Sequence, residues 1–307
     1  MRRAGGPPAP FASHRLPAAL RAYALRPFRS EAGRGERPSC HAGDTATLDG
    51  KPVSTDDLLS LALTNVGHFT TFRVESDSTV RGLSRHLDRL VRDCSAVFGV
   101  DLDTELVRDC VRQELAGCEL PRAARVTIHD PGTDLGRPAD AKAPRVMVSS
   151  RPAGGPTATP LRTMSVAFER DLPHVKHVGL FGALHARRTA HMAGYGDAVF
   201  TGHDGRVTEG VTWNVGFVDR DGAVLWPRTG ALPGITMALL REYAGSIEHR
   251  DADISLKRAV GMAAAFATNA SIGVRPLAAI DGIAFAAGHP VLGRLRERYL
   301  AIPGEAL

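Results

Sequence analysis

The sequence predicts an α+β protein divided into two subdomains. A chain of 307 residues is long enough to bury a large core. Hairpin signals and helical apolar stripes are mixed too freely for a doubly wound parallel sheet. The stretch PAGGPTATP (152–160) places three prolines and two glycines in nine residues, which neither regular structure can continue, so it reads as a linker. The predicted organisation is a disordered Arg/Pro-rich tail over 1–44, a small α+β domain over 45–151, the linker, and a larger domain over 161–307.

The elements follow from local pattern. ATLDGKPVS (46–54) is a strand, an Asp49-Gly50 turn and a second strand. Phe69, Thr70, Thr71, Phe72 and Val74 have the β-branched and aromatic content of another strand. Ser84 is placed to cap a helix whose stripe runs through His86, Leu87, Leu90, Val91, Cys94, Val97 and Phe98 and stops at Gly99. Residues 103–117 repeat the helical pattern, and 124–130 and 145–151 read as strands. In the second half, strands are expected over 162–168, 197–201, 206–210, 213–219, 223–226, 246–253, 263–269 and 273–280. Helices are expected from the Lys176 loop to about Gly194, over 232–244, over 255–262 and over 289–300.

Composition excludes several functions. The formal net charge is +5, but residues 1–44 hold eight arginines against three acidic residues, leaving the body formally neutral. A nucleic-acid footprint is therefore not expected. No apolar run approaches the roughly 20 residues of a membrane-spanning helix. Cys40, Cys94, Cys110 and Cys118 have no metal-ligand spacing and read as reduced thiols of a cytoplasmic protein. The twelve histidines lack ligand spacing, and no GxSxG, HExxH, Walker loop or GxGxxG occurs. The tail carries no acidic residue before Glu31 and no secretory apolar core. An organelle transit peptide or an over-long start is the alternative to disorder.

Lysine usage singles out one position. Only four of the 38 basic residues are lysines. Lys51, Lys142 and Lys257 sit in polar settings, whereas Lys176 lies between Val175 and the apolar run from Val178 to Leu184. Desolvation there would lower its pKa and favour a neutral, nucleophilic amine. A Schiff-base lysine needs that setting.

Five motifs in order complete the pattern: GHFTTFRV (67–74), HLDRL (86–90), VKHVGL (175–180), VTEGVTWNVGF (207–217) with LPGIT (232–236), and FATNASIGVRPL (266–277). Together they resemble the class IV aminotransferases, pyridoxal-phosphate enzymes of fold type IV that include branched-chain and D-amino-acid aminotransferases and aminodeoxychorismate lyase. The resemblance implies pyridoxal 5'-phosphate as cofactor, a homodimer, and a small-molecule amino acid, 2-oxo acid or aminodeoxychorismate-like substrate. It implies that Lys176 is the Schiff-base lysine and that Glu209 pairs with the pyridine nitrogen. Arg89 would clamp the phosphate, aided by Gly234, Ile235 and Thr236 and by the turn at Asn269 and Ala270. Asn214 would tie down a strand end. Without the motifs, Glu209 reads equally as a solvent-facing residue and Arg89 as half of a surface ion pair.

Phe69, Thr71, His129 and Ser271 are the substrate-binding candidates. Family aminotransferases commonly carry a glutamate where this chain has Phe-Thr-Thr, and Gly-Thr where it has Asn269-Ala270, departures that lean toward the lyase. The loop HDPGTDLGR lacks an arginine directly after its strand; His129 or Arg137 would have to replace it. Three readings result: an aminotransferase, which is the commonest activity of such proteins; a lyase releasing pyruvate; and a cofactor-binding homologue without turnover. Deleting residues 1–44 is expected to leave activity and melting temperature nearly unchanged while lowering the isoelectric point. A truncated protein that fails to fold in a thermal melt would overturn this.

Overall fold

A computed structural model describes residues 45–155, 159–228 and 230–307. The expectations for residues 1–44 lie outside this range. In chain order the first elements are β1 (Thr45–Leu48), β2 (Lys51–Pro52), α1 (Thr55–Thr64), β3 (His68–Val74), β4 (Thr79–Arg81), α2 (Leu83–Phe98), α3 (Thr104–Leu115), β5 (Arg122–His129) and β6 (Arg145–Pro152). Five of the strands form an antiparallel sheet in the order β2-β1-β6-β5-β3. The stripe on α2 packs Leu83, Leu87, Leu90 and Cys94 against Phe72, Val126 and Val148 of that sheet.

Two details differ from the sequence reading. Gly82, with φ +68°, precedes α2 as its N-cap, and no side chain caps the helix. Ser84 lies inside the first turn, where its N–H donates to Glu305 Oε2 at 2.8 Å. Helix α1 was not anticipated. Ser54 and Asp57 form a reciprocal capping box at its start, yet none of its residues is buried, so its leucines do not produce a core-facing stripe.

The second half comprises β7 (Leu161–Ala167), α4 (Phe181–Met192), β8 (Asp197–Thr201), β9 (Val207–Gly210), β10 (Asn214–Val218), β11 (Val224–Pro227), α5 (Ile235–Glu242), β12 (His249–Ala252), α6 (Leu256–Ala259), β13 (Ala264–Asn269), β14 (Gly273–Ile280), β15 (Ile283–Ala284), α7 (Pro290–Leu300) and β16 (Gly304–Ala306). A nine-stranded mixed sheet runs β12-β11-β10-β13-β14-β7-β8-β9, with β15 on β14. Strand alternation divides its side chains between two cores. Ala264 and Phe266 enter one, with Trp226 and Leu240, while Ala265 and Ala267 enter the other, with Val215 and Phe217. A Cβ on Gly216 would lie 2.4 Å from Cζ of Phe266, so that ring packs directly on the neighbouring backbone. The last strand, β16, returns to pair with β4.

Cys94 and Cys110 are free and buried. Cys118 is disulfide-bonded, which corrects the expectation of a reduced thiol there; Cys40 lies outside the described residues. Among the described residues no helix is long and apolar enough to cross a membrane, and no cluster of His, Cys, Asp or Glu could hold a metal ion.

Candidate active site

A cavity of about 250 Å³ is lined by residues of β3, α2 and β5, by the loop carrying Lys176, and by the ends of β9, α5 and the β13–β14 turn. It brings together Lys176, Glu209, Arg89, Gly234, Ile235, Thr236, Asn269 and Ala270, along with Phe69, Thr71 and Ser271. Lys51, Lys142 and Lys257 are exposed elsewhere.

Lys176 is held by both of its backbone groups. Its N–H donates to Asp93 Oδ2 at 2.9 Å, and its carbonyl accepts from the Phe69 N–H at 2.9 Å. The Asp93 side chain is 1% exposed, and its other oxygen accepts from Arg92 Nη2 at 2.8 Å. Arg92 also donates to the His174 carbonyl at 3.1 Å. Helix α2 thus grips the lysine loop one turn beyond Arg89. The Lys176 amine stands 4.7 Å from the centroid of the Phe69 ring. Burial lowers its pKa to about 7; Arg89 and Arg170 push the same way and Glu209 opposes them.

Glu209, on β9, is 2% exposed. One carboxylate oxygen is hydrogen-bonded to Nε of Arg170, and the other accepts from the Leu232 N–H at 3.2 Å. Burial pushes its pKa up against the opposing pull of Arg170 and the Leu232 N–H. Arg89 donates to the Thr70 hydroxyl, and that hydroxyl lies 2.7 Å from Nδ1 of His86. A guanidinium can only donate, so the Thr70 hydroxyl accepts from it and keeps its own proton for His86 Nδ1. The His86 proton then sits on Nε2. Burial, with Arg89 and Lys176 nearby, holds the His86 pKa well below the ordinary imidazole value.

The remaining wall is built for close backbone approach. A Cβ on Gly234 would lie 1.8 Å from Oδ1 of Asn214. Asn214 Nδ2 donates to the Leu232 carbonyl at 2.8 Å, so this side chain fixes the segment that leads into α5. The first-turn N–H groups of that helix have no intrahelical partners. Two donor-bearing atoms of cavity-lining residues are buried without a hydrogen-bond partner, Arg89 Nε and His86 Nε2, while the Thr236 hydroxyl interacts with Tyr299. A buried donor left unmatched is costly.

Some expectations need correction. His129 is buried at the end of β5, with Nε2 3.4 Å from the Asp57 carbonyl, and it does not line the cavity. Arg137 is also absent from the lining and is 80% exposed. At the β13–β14 turn, Oδ1 of Asn269 accepts from the N–H groups of both Ser271 and Ile272 at 2.9 Å, so those two donors are satisfied inside the turn. Conversely, the cavity contains three arginines that the sequence reading missed: Arg125, Arg151 and Arg170. Arg125 lies over the Phe69 ring at 3.7 Å and donates to Thr127 Oγ1 at 3.2 Å. It makes no salt bridge among the described residues, and burial lowers its pKa. Its alternation with Thr127 on β5 was the available signal, lost among 34 arginines.

A lysine amine of lowered pKa, a buried carboxylate and four arginines thus share one cavity. The family model for amino-transferase class IV matches residues 67–280, and the chain belongs to that family. No curated relative matches the sequence. Among solved structures, a branched-chain aminotransferase from Thermoproteus uzoniensis, determined with norvaline, is similar at a TM-score of 0.76 and 22% identity, over 84% of this chain and 94% of that one. The branched-chain aminotransferase of Escherichia coli gives a TM-score of 0.74 at 20% identity, over 84% and 94%. A putative 4-amino-4-deoxychorismate lyase from Legionella pneumophila gives 0.70 at 22%, over 79% and 92%. The fold is that of the fold type IV pyridoxal-phosphate enzymes.

In cofactor-free protein, reductive methylation of Lys176 should rise with pH to half its maximum at about 7, far below the ordinary lysine value of 10.5. Peptide mapping locates the label. Glu209→Gln should move the midpoint lower still, because it removes the carboxylate that favours the ammonium form. A midpoint above about 9 would show that burial does not neutralise the amine.

Proposed function

We propose that this chain is a pyridoxal-phosphate-dependent aminotransferase that moves an amino group between an amino acid and a 2-oxo acid, with partners that carry a second carboxylate. The observation that carries this reading is the buried Lys176 amine sharing one cavity with Glu209, Arg89 and Thr236. The residues fit the cofactor. Arg89, Thr236 and the start of α5 would hold its phosphate, Gly234 giving room for close approach. Lys176 would hold it covalently, and Glu209 would face its ring nitrogen. When bound, the cofactor supplies an aldehyde that takes up an amino group and a ring that delocalises the electrons released at Cα.

The remaining chemistry belongs to the chain. Nζ of Lys176, its pKa lowered to about 7, takes the Cα proton and returns it. The Asp93 and Phe69 contacts hold its backbone in place. Arg170 favours the ionised form of Glu209 against the cost of burial. Arg125 and Arg151 supply guanidinium groups without a carboxylate partner among the described residues, which suits a substrate with a carboxylate beyond the α-carboxylate.

Thr71 supports the second reading, an aminodeoxychorismate-type lyase releasing pyruvate. Phe69 and Thr71 line the cavity whereas Thr70 turns to His86 and Arg89, so a hydroxyl that could relay a proton stands where a glutamate would impose charge. Mixing holoenzyme with a donor alone separates the two. An aminotransferase should lose the bound-aldehyde absorbance stoichiometrically with L- or D-glutamate or aspartate, react about tenfold more slowly with alanine, and recover on addition of a 2-oxo acid. Sustained pyruvate release from aminodeoxychorismate without an acceptor would decide for the lyase.

We also propose a homodimer. Leu58, Leu59 and Leu63 of α1 and Phe181 and Leu184 of α4 are exposed, and Asn65, just after α1, lies near Gly179, just before α4. Exposed large apolar side chains are what a protein interface covers. Sedimentation equilibrium should give twice the chain mass, and Leu63→Glu with Phe181→Glu should shift it to the monomer. A monomeric parent protein would refute the proposal.

A further inference from the structure

Behind the β13–β14 turn lies a second cavity of about 220 Å³. Ala270 and Ser271 line both cavities, so one turn separates them. Three arginines reach the second cavity from three elements, Arg73 on β3, Arg81 on β4 and Arg296 on α7, and its only carboxylate is Glu75. Glu75 pairs with Arg73 at 2.9 Å and also with Arg81, and three guanidinium groups against one carboxylate leave two positive charges in excess. Arg296 makes no salt bridge among the described residues; its Nε and Nη2 reach only the Val274 carbonyl, at 3.4 and 3.3 Å. Arg81 leans on the Leu300 carbonyl at 3.3 Å through Nη2, while its Nε is buried without a partner. Tyr299 lines the same cavity, with the Arg81 guanidinium 5.8 Å from its ring centroid.

Partly desolvated cations attract an anion more strongly than cations in open water, and the buried Arg81 donor lacks a match. We propose that this cavity is a second binding site, for a small dianion, the chemistry shared by phosphate groups and short dicarboxylates. Its occupancy is felt in the first cavity through the common turn. That turn is stiff: Asn269 closes the Ser271 and Ile272 N–H groups from within, and Gly273, at φ +61°, would place a Cβ only 3.0 Å from the Tyr299 ring. An anion drawn against Arg296 and Ser271 therefore acts on backbone that also lines the first cavity. By linkage, a ligand that steadies the turn for one site steadies it equally for the other. Binding stands on the second cavity alone; the coupling rests on the reading of the first as the cofactor site.

The test uses full-length holoenzyme whose cofactor has been fixed by borohydride, with loading checked by absorbance, so that the first cavity is filled. A protein that takes up no cofactor fails at this check and refutes the cofactor reading, not this site. Inorganic phosphate, succinate and acetate are then titrated calorimetrically at constant ionic strength. One dianion should bind per chain, with acetate at least about tenfold weaker, and the comparison of phosphate with succinate identifies the source. Arg296→Glu should weaken binding by about tenfold or more, with Arg296→Ala between, and with the melting temperature of each variant confirming its fold. In unreduced holoenzyme the preferred dianion should slow cofactor loss on dilution. The site is overturned if neither dianion saturates, if acetate binds equally, if Arg296→Glu binds like the parent, or if binding appears only when cofactor is absent. Unchanged cofactor loss on saturation would overturn the coupling.

Discussion

The contact between the buried carboxylate of Asp93 and the N–H of Lys176 sets the geometry of the rest of the site. Leaving that carboxylate unmatched in the interior would be costly, so Arg92 and the Lys176 backbone are drawn to it. Because Asp93 and Arg89 lie one turn apart on α2, the helix that packs on the five-stranded sheet also fixes the lysine loop and the arginine facing the cavity. The Phe69 N–H completes the hold from β3. Packing in the first half of the chain thereby determines where the Lys176 amine sits.

Electrostatics inside the cavity follow from what surrounds that fixed point. Arg89, Arg125 and Arg170 all disfavour a charged Lys176, and Glu209 alone opposes them. The balance leaves an amine that loses its proton at about pH 7 among guanidinium cations, a combination suited to anionic ligands and to nucleophilic use of the amine. Thr70 and His86 keep Arg89 aimed without neutralising it. A carboxylate partner at that point would have consumed the charge.

Much of this was legible in the sequence because it rests on local pattern. The Leu83–Phe98 stripe, the strand over 263–269 and the scarcity of lysine each carry their meaning within a few residues. Non-local matters were not legible. Ser84 has the chemistry of a cap, but Glu305, over two hundred residues away, engages it. Helix α1 has good capping residues and no buried face, so the usual periodicity was missing. His129 sits at the expected strand end, yet its ring meets Asp57 instead of the cavity. Arg125 and Arg170 are unremarkable among so many arginines until the fold shows which ones are enclosed. For Asn269 the turn was foreseen, but not that its own side chain would satisfy two of the N–H groups.

The segment joining Glu209 to α5 has a consequence for divergence. Leu232 gives its N–H to Glu209 and its carbonyl to Asn214, while Asn214 occupies the space that any side chain at position 234 would need. Four positions, Glu209, Asn214, Leu232 and Gly234, are therefore interlocked, and a side chain at 234 would displace the Asn214 side chain from its place. Lineages descending from this chain can alter its surface and its substrate-facing residues one at a time, but this interlock must change as a block or stay as it is.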